Sequence, residues 1–316
     1  MKRLLVVAAA VLFAASSFAQ YPNKPIRIVV PFPAGSATDT VTRILGQSLS
    51  AAVGQPVLVD NKVGADGAIA GAEVARAAAD GYTLLMATNS PMAVVPAMKK
   101  SPPYDPVADF TPITDIGRYT FFLYVNATLP IKSFQELVAH AKANPGKLNY
   151  ATGNTTGIVS FAQMNSLVGI DMTHVPYKGE PQGITDLVGG RVQVMWATPT
   201  TGLAHVKDGK LRAVATNLKA RSALLPEVPT MAEVGVPQYS VVSWAALYGP
   251  AKLPREIQMR VNKEFHDAMK RREVIEALEK QAFPTTPSTP EELAGFTKSQ
   301  MEAYRNILRA AGVQPE

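Results

Sequence analysis

Along this chain, short apolar runs rich in β-branched residues alternate with longer stretches of helical period, the pattern of an α/β fold. Ile26 to Pro31 reads as a buried strand and Phe32-Pro33-Ala34-Gly35 as the loop after it. Ala37 to Val53 reads as a helix with Val41, Ile44, Leu45 and Leu49 on one face, stopped by Gly54. Val57 to Val59 is a second strand, Asn61 to Gly67 a glycine-rich loop, and Ala68 to Ala79 an alanine-rich helix. Thr83 to Ala87 is a third strand leading into Thr88-Asn89-Ser90-Pro91. Further on, strands are predicted at 121–125, 148–151, 172–175, 192–196, 211–216 and 241–247, with helices at 133–143, from Thr155 to about 167, and at 182–188. The C-terminal part is helical: 254–270, 273–281 and a last helix to about 311. That last helix opens on Thr289-Pro290-Glu291-Glu292, a cap residue, a first-turn proline and acids in the positive end of the helix.

Two such β-α-β assemblies predict two Rossmann-like lobes. The strands near 120 and near 240 cross between them, so the first lobe is discontinuous: 20–121 plus 242–316, with 122–241 as the second. A pair of crossovers acts as a hinge. At roughly 300 residues, each lobe is large enough for its own core.

The N-terminus follows a different logic. Lys2 and Arg3 precede an apolar run from Leu4 to Ala15, too short to span a bilayer, and Ser17-Phe18-Ala19 supplies a small-x-small cleavage pattern. Residues 1–19 are therefore expected to be a signal peptide cut near Ala19, leaving a soluble, exported protein, and a monomer is expected. The sequence has no cysteine, which excludes disulfides and thiolate metal sites. Its formal net charge is +6, and taking away Lys2 and Arg3 leaves +4, spread along the chain. The densest cluster, Lys270-Arg271-Arg272, has Glu273, Glu276 and Glu279 beside it and reads as a solvated helix face, so no nucleic-acid partner is expected.

The candidate chemistry lies in strand-to-helix loops. Gly35-Ser36-Ala37-Thr38-Asp39 opens a helix, and Ser36 and Asp39 have the spacing of a capping box. Unpaired N–H groups at such a helix start favour an anion. Asp39 is expected to hold the loop and not to touch the ligand. The stretch Thr152-Gly153-Asn154-Thr155-Thr156-Gly157 repeats the arrangement with hydroxyl and amide donors. Together the two loops predict facing halves of an anion clamp, with Thr88, Asn89 and Thr198 adding bonds from the rim. Neither matches a dinucleotide or P-loop pattern. The four histidines, His140, His174, His205 and His266, are scattered, and no nucleophile elbow occurs, so no catalytic residue, metal or cofactor is expected. His140 and His266 read as solvated and His174 as structural. Tyr177 is assigned to the pocket and Trp244 to the core, while Trp196 fits either.

In these loops and between them the chain resembles the Bug family, the periplasmic receptors of tripartite tricarboxylate transporters. The markers are Tyr21-Pro22 and Pro25-Ile26, Pro31-Phe32-Pro33-Ala34-Gly35 with Asp39, and Asp80-Gly81-Tyr82-Thr83-Leu84-Leu85. Asn144-Pro145-Gly146, Val175-Pro176-Tyr177-Lys178-Gly179, Thr185-Asp186-Leu187 with Gly189-Gly190, and Pro290-Glu291-Glu292 complete the series. The resemblance implies a Venus-flytrap fold of the type II periplasmic-binding-protein kind. It also implies that the two loops, one per lobe and with Phe32 among the ligand-binding residues, grip a ligand carboxylate, and that the partners are one large and one small membrane permease subunit. Family ligands include dicarboxylates, amino acids and aromatic acids. A receptor of this fold that signals to a sensor protein, and an exported enzyme acting on a carboxylate, are the alternative readings. Three positions depart from the family pattern: Ser36 for a second glycine, Val159 for a histidine, and Glu180 for a small residue. Glu180 either enters the cleft, where it would meet an ammonium, a hydroxyl or a cation, or faces water. The outward orientation is preferred from sequence.

Overall fold

The computed structural model describes residues 21–313 and 315, so the expected signal peptide lies outside the described residues. The first lobe begins with β1 (Ile26–Val30), α1 (Ala37–Val53), β2 (Val57–Asn61), α2 (Ala68–Ala75) and β3 (Thr83–Thr88). A π turn at Ser90–Val94 runs into the short α3 (Val95–Met98), and β4 (Phe110–Tyr119) follows. The chain then enters the second lobe: β5 (Phe122–Asn126), α4 (Phe134–Ala143), β6 (Asn149–Thr152), α5 (Thr155–Val168) and β7 (Thr173–Pro176). The same lobe continues with α6 (Glu180–Val188), β8 (Val194–Ala197), α7 (Pro199–Lys207) and β9 (Leu211–Thr216). It returns through β10 (Ser243–Pro250) to α8 (Arg255–Met269), α9 (Arg272–Glu279) and α10 (Pro290–Ala310).

Two five-stranded sheets result, ordered β2-β1-β3-β10-β4 and β7-β6-β8-β5-β9. In the first, β10 runs antiparallel to both neighbours; in the second, β5 does. Each of these is the strand that arrives from the other lobe. The remaining strands are mutually parallel where they pair. Helices cover the sheets on both faces, so Ile28, Val29 and Val30 of β1 are all fully buried and the strand reads as a continuous apolar run.

Several elements differ from the sequence-based expectation, β4, α2 and α7 among them. Strand β4 was not anticipated: Phe110 to Tyr119 carries Pro112, Thr114 and Asp115 in place of clean alternation, and its register against β10 shifts twice. It is an edge strand, where proline and irregular pairing are tolerated. Helix α2 stops at Ala75 because the Ala77 N–H bonds to the Val74 carbonyl, tightening the last turn. Helix α7 was also missed; its Gly202 is where the Tyr124 ring packs, in space a β-carbon would take.

Among the described residues no helix is long and apolar enough to cross a membrane. Lys270-Arg271-Arg272 is not wholly a solvated face, since Arg271 donates to the carbonyl and hydroxyl of Ser48 at 2.7 and 2.9 Å and ties α9 to α1.

Candidate functional site

The carboxyl ends of the parallel strands in both sheets point toward a shared gap, the place where open α/β sheets hold ligands. Loop 31–36 after β1 is held by Asp39. Its carboxylate accepts the Gly35 N–H at 3.0 Å, the Arg43 Nε at 3.0 Å and the Asn61 amide at 2.9 Å. Gly35 has φ +79°, a left-handed conformation that aims its N–H back at Asp39. Burial alone pushes Asp39 up, but the bonds from Arg43, Gly35 and Asn61 more than reverse this and hold it below the usual carboxylate range. The Ser36 hydroxyl accepts the Asp39 N–H, so half of the expected capping box forms, and the carboxylate reaches Gly35 and not Ser36. The Ala37 and Thr38 N–H groups are in the first turn, where no intrahelical partner exists.

The second loop does the same from the other lobe. Asn154 caps α5 by accepting the Gly157 N–H at 3.0 Å. The two helix starts line one cavity together with Phe32, Gly153, Thr156, Thr88 and Thr198. Room in it for the centre of a water molecule amounts to about 20 Å³, on the scale of one ordered water. A carbon skeleton therefore enters only when the lobes part or the walls yield.

Some expected site residues act one step back from the cavity. Thr155 donates to the Ser90 hydroxyl at 2.8 Å, and Asn89 donates to the Thr156 hydroxyl at 2.6 Å and to Tyr304 at 2.9 Å. The Thr155–Ser90 and Asn89–Thr156 bonds pin the lobes to each other, and the Asn89–Tyr304 bond holds Asn89 within the first lobe. Thr152 pairs with His174 Nε2 at 2.7 Å, and His174, stacked on Tyr150, is structural as expected. Its basicity is lowered by burial. Tyr177 is a correction: its hydroxyl bonds Asp186 at 2.7 Å, and its ring borders a neighbouring groove with Lys178. His266 is another, because its Nε2 lies 3.0 Å from both the Thr114 hydroxyl and the Ser288 carbonyl and so braces α8. Trp196 and Trp244 are both core residues.

Glu180 overturns the outward orientation. It is 5 % exposed and lines the cavity from the first turn of α6, which begins two residues earlier than expected. Its Oε2 accepts the Thr198 N–H at 3.1 Å, the Thr198 hydroxyl at 2.7 Å and the Thr201 hydroxyl at 3.2 Å. Burial pushes the carboxyl above its ordinary range, against the pull of these donors and of the Asn154 amide. The residue turns inward because α7 starts opposite α6 with unpaired polar groups that need an acceptor.

Sequence reasoning missed three wall residues: Tyr119, Phe121 and Ser243. Tyr119 donates to the Thr38 hydroxyl at 3.0 Å. All three sit where the chain passes between lobes. The signal is the pair of crossings near 120 and 240, which from sequence alone imply a hinge but not a wall.

The model of the tripartite tricarboxylate transporter family receptor matches residues 41–313. Protein BugT of Bordetella pertussis is 34% identical over 99% of both chains. The chain belongs to the Bug family of tripartite tricarboxylate transporter receptors. Two solved structures carry the same two-lobed fold. A Rhodopseudomonas palustris protein with adipate superposes with TM-score 0.90 and 29% identity, covering 94% of this chain and 100% of that one. MatC from Rhodopseudomonas palustris with bound malate gives TM-score 0.86 and 27% identity, with 91% and 100% covered. This Bug receptor is thus a solute-binding protein of the periplasmic type, and the cavity at its strand ends is the candidate solute site.

Proposed function

We propose that this Bug receptor binds a small organic carboxylate between its lobes and delivers it to a membrane permease of one large and one small subunit. In this reading, residues 1–19 direct export to the periplasm. The body 20–121 plus 242–316 closes on 122–241, and the protein performs no covalent chemistry. The observation that carries it is that the N-termini of α1 and α5, one from each lobe, open on one cavity. Helix starts stabilise an anion without a cationic side chain. The relatives solved with adipate and malate support the ligand class.

The test is calorimetry and thermal shift with succinate, malate, adipate and benzoate. One-to-one binding without turnover is expected, with the melting temperature raised by mass action. Ala37→Leu fills the cavity while leaving the Ser36 cap in place. It should abolish the shift, and because Ala37 is 6 % exposed the larger side chain should also lower the unliganded melting temperature through overpacking of about 1–3 kcal/mol, with circular dichroism showing the fold retained. A shift that survives in Ala37→Leu would put the site elsewhere.

A further inference from the structure

The cavity wall is unbalanced in charge. Its polar lining is mostly hydroxyl, and no lysine, arginine or histidine is among the described residues that line it. Glu180 is the one carboxyl among the described residues that line it. Its two oxygens are not equivalent. The Thr198 N–H and the Thr198 and Thr201 hydroxyls all end on Oε2, and Oε1 takes none of these bonds.

The Thr198 and Thr201 bonds give Oε2 a structural role. Helix α7 has no side-chain cap of its own at Thr198, and Oε2 serves that helix start. A glutamine carbonyl would accept the same bonds without bringing an ionisable group into the interior, which is costly unless it is paired. These donors, and the Asn154 amide that also bonds the carboxyl, are all neutral and leave the acid's charge uncompensated, and no cation is among the described lining residues. A dianion in this space would add like charge to Glu180, whereas a zwitterion would neutralise it.

Resting on the carboxylate reading above, we propose that the ligand carries a protonated nitrogen as well as a carboxylate. The ammonium bonds Glu180 Oε1, and the carboxylate lies at the first turns of α1 and α5. The titratable groups that face Glu180 are Tyr119 from β4 and Tyr124 from β5, both kept neutral by burial; the remaining polar neighbours, Asn154, Thr198 and Thr201, do not titrate. An arriving ammonium favours the ionised carboxyl, so binding expels a proton wherever burial had kept Glu180 protonated. Affinity then rises with pH through that range.

The test uses matched pairs on the mature protein: succinate with 3-aminopropanoate, glutarate with 4-aminobutanoate, and malate with aspartate. In at least one pair the amino member should bind at least about 10-fold tighter than its diacid. Glu180→Gln should then cost the amino member about 10- to 100-fold, the range of a lost charge-assisted hydrogen bond. The diacid should be unaffected or improved. A purely structural role would weaken both members alike. The preference of the unmutated protein needs no variant, so it stands even if Glu180→Gln folds poorly. Diacids preferred in every pair, with affinity falling as pH rises, would overturn this proposal and leave the carboxylate reading intact. Failure of every compound in the panel to bind would overturn both.

Discussion

At the scale of single residues, the site separates groups that hold the loops from groups that face the cavity. Asp39 is 3 % exposed and spends its bonds on Gly35, Arg43 and Asn61. Its folded-state pKa lies below the ordinary value of 3.8. Such a group contributes stability that is complete above that value and lost as pH falls through the lower, folded value. Asp39→Asn is accordingly expected to lower stability at pH 7 by about 1–2 kcal/mol, with the difference from the unmutated protein vanishing in strong acid. Urea unfolding at pH 7 and at pH 2.5 measures it. A difference that persists unchanged at pH 2.5 would mean that the charge is not what holds the loop. The role of Asp39 was readable from its S-x-x-D spacing. The direction of Glu180 was not, because its partners, Thr198 and Thr201, are 18 and 21 residues away and on another helix.

At the scale of elements, the β6–α5 and β7–α6 connections touch through glycine. A β-carbon on Gly153 would run into the Glu180 backbone nitrogen and lie 2.6 Å from the Gly179 carbonyl carbon. Both neighbours are backbone, so neither can rotate away. Gly153→Ala is expected to destabilise the protein by about 1–3 kcal/mol, as overpacking does, and to weaken carboxylate binding because it spreads the two helix starts. A melting curve and a titration check both effects. A Gly153→Ala protein that melts and binds normally would show that the second loop has slack. Elements with clean periodicity were legible beforehand. Helix α1 runs over the predicted 37–53 because its buried Val41, Leu45 and Leu49 recur on one face and Gly54 closes it with φ 69°. Strand β4 was illegible because its buried polar groups are satisfied by distant partners, such as the bond from the Asp115 N–H to Ser288. No local pattern announces them.

At the scale of the whole molecule, the lobes are pinned together near the cavity. Thr155 and Thr156 reach across to Ser90 and Asn89, and Thr200 bonds Gln281 at 2.8 Å. Replacing both Thr155 and Thr156 by valine keeps their shape and removes their hydroxyls. At about 1 kcal/mol per bond, closure should lose about 2 kcal/mol, roughly 30-fold in the closing equilibrium. Small-angle scattering should then find a larger radius of gyration in the double variant than in the unmutated protein. Equal radii would mean that apolar contact, and not these hydroxyls, keeps the lobes together.

Strands β4 and β5 are separated by only Thr120 and Phe121, and Tyr119 and Phe121 are both part of the cavity lining. Any rotation of one sheet against the other, shared with the return crossing before β10, turns about this two-residue link. The aromatic rings flanking it swing with the rotation, so contact with a captured solute and the angle between the halves are geared to each other, with no intervening relay.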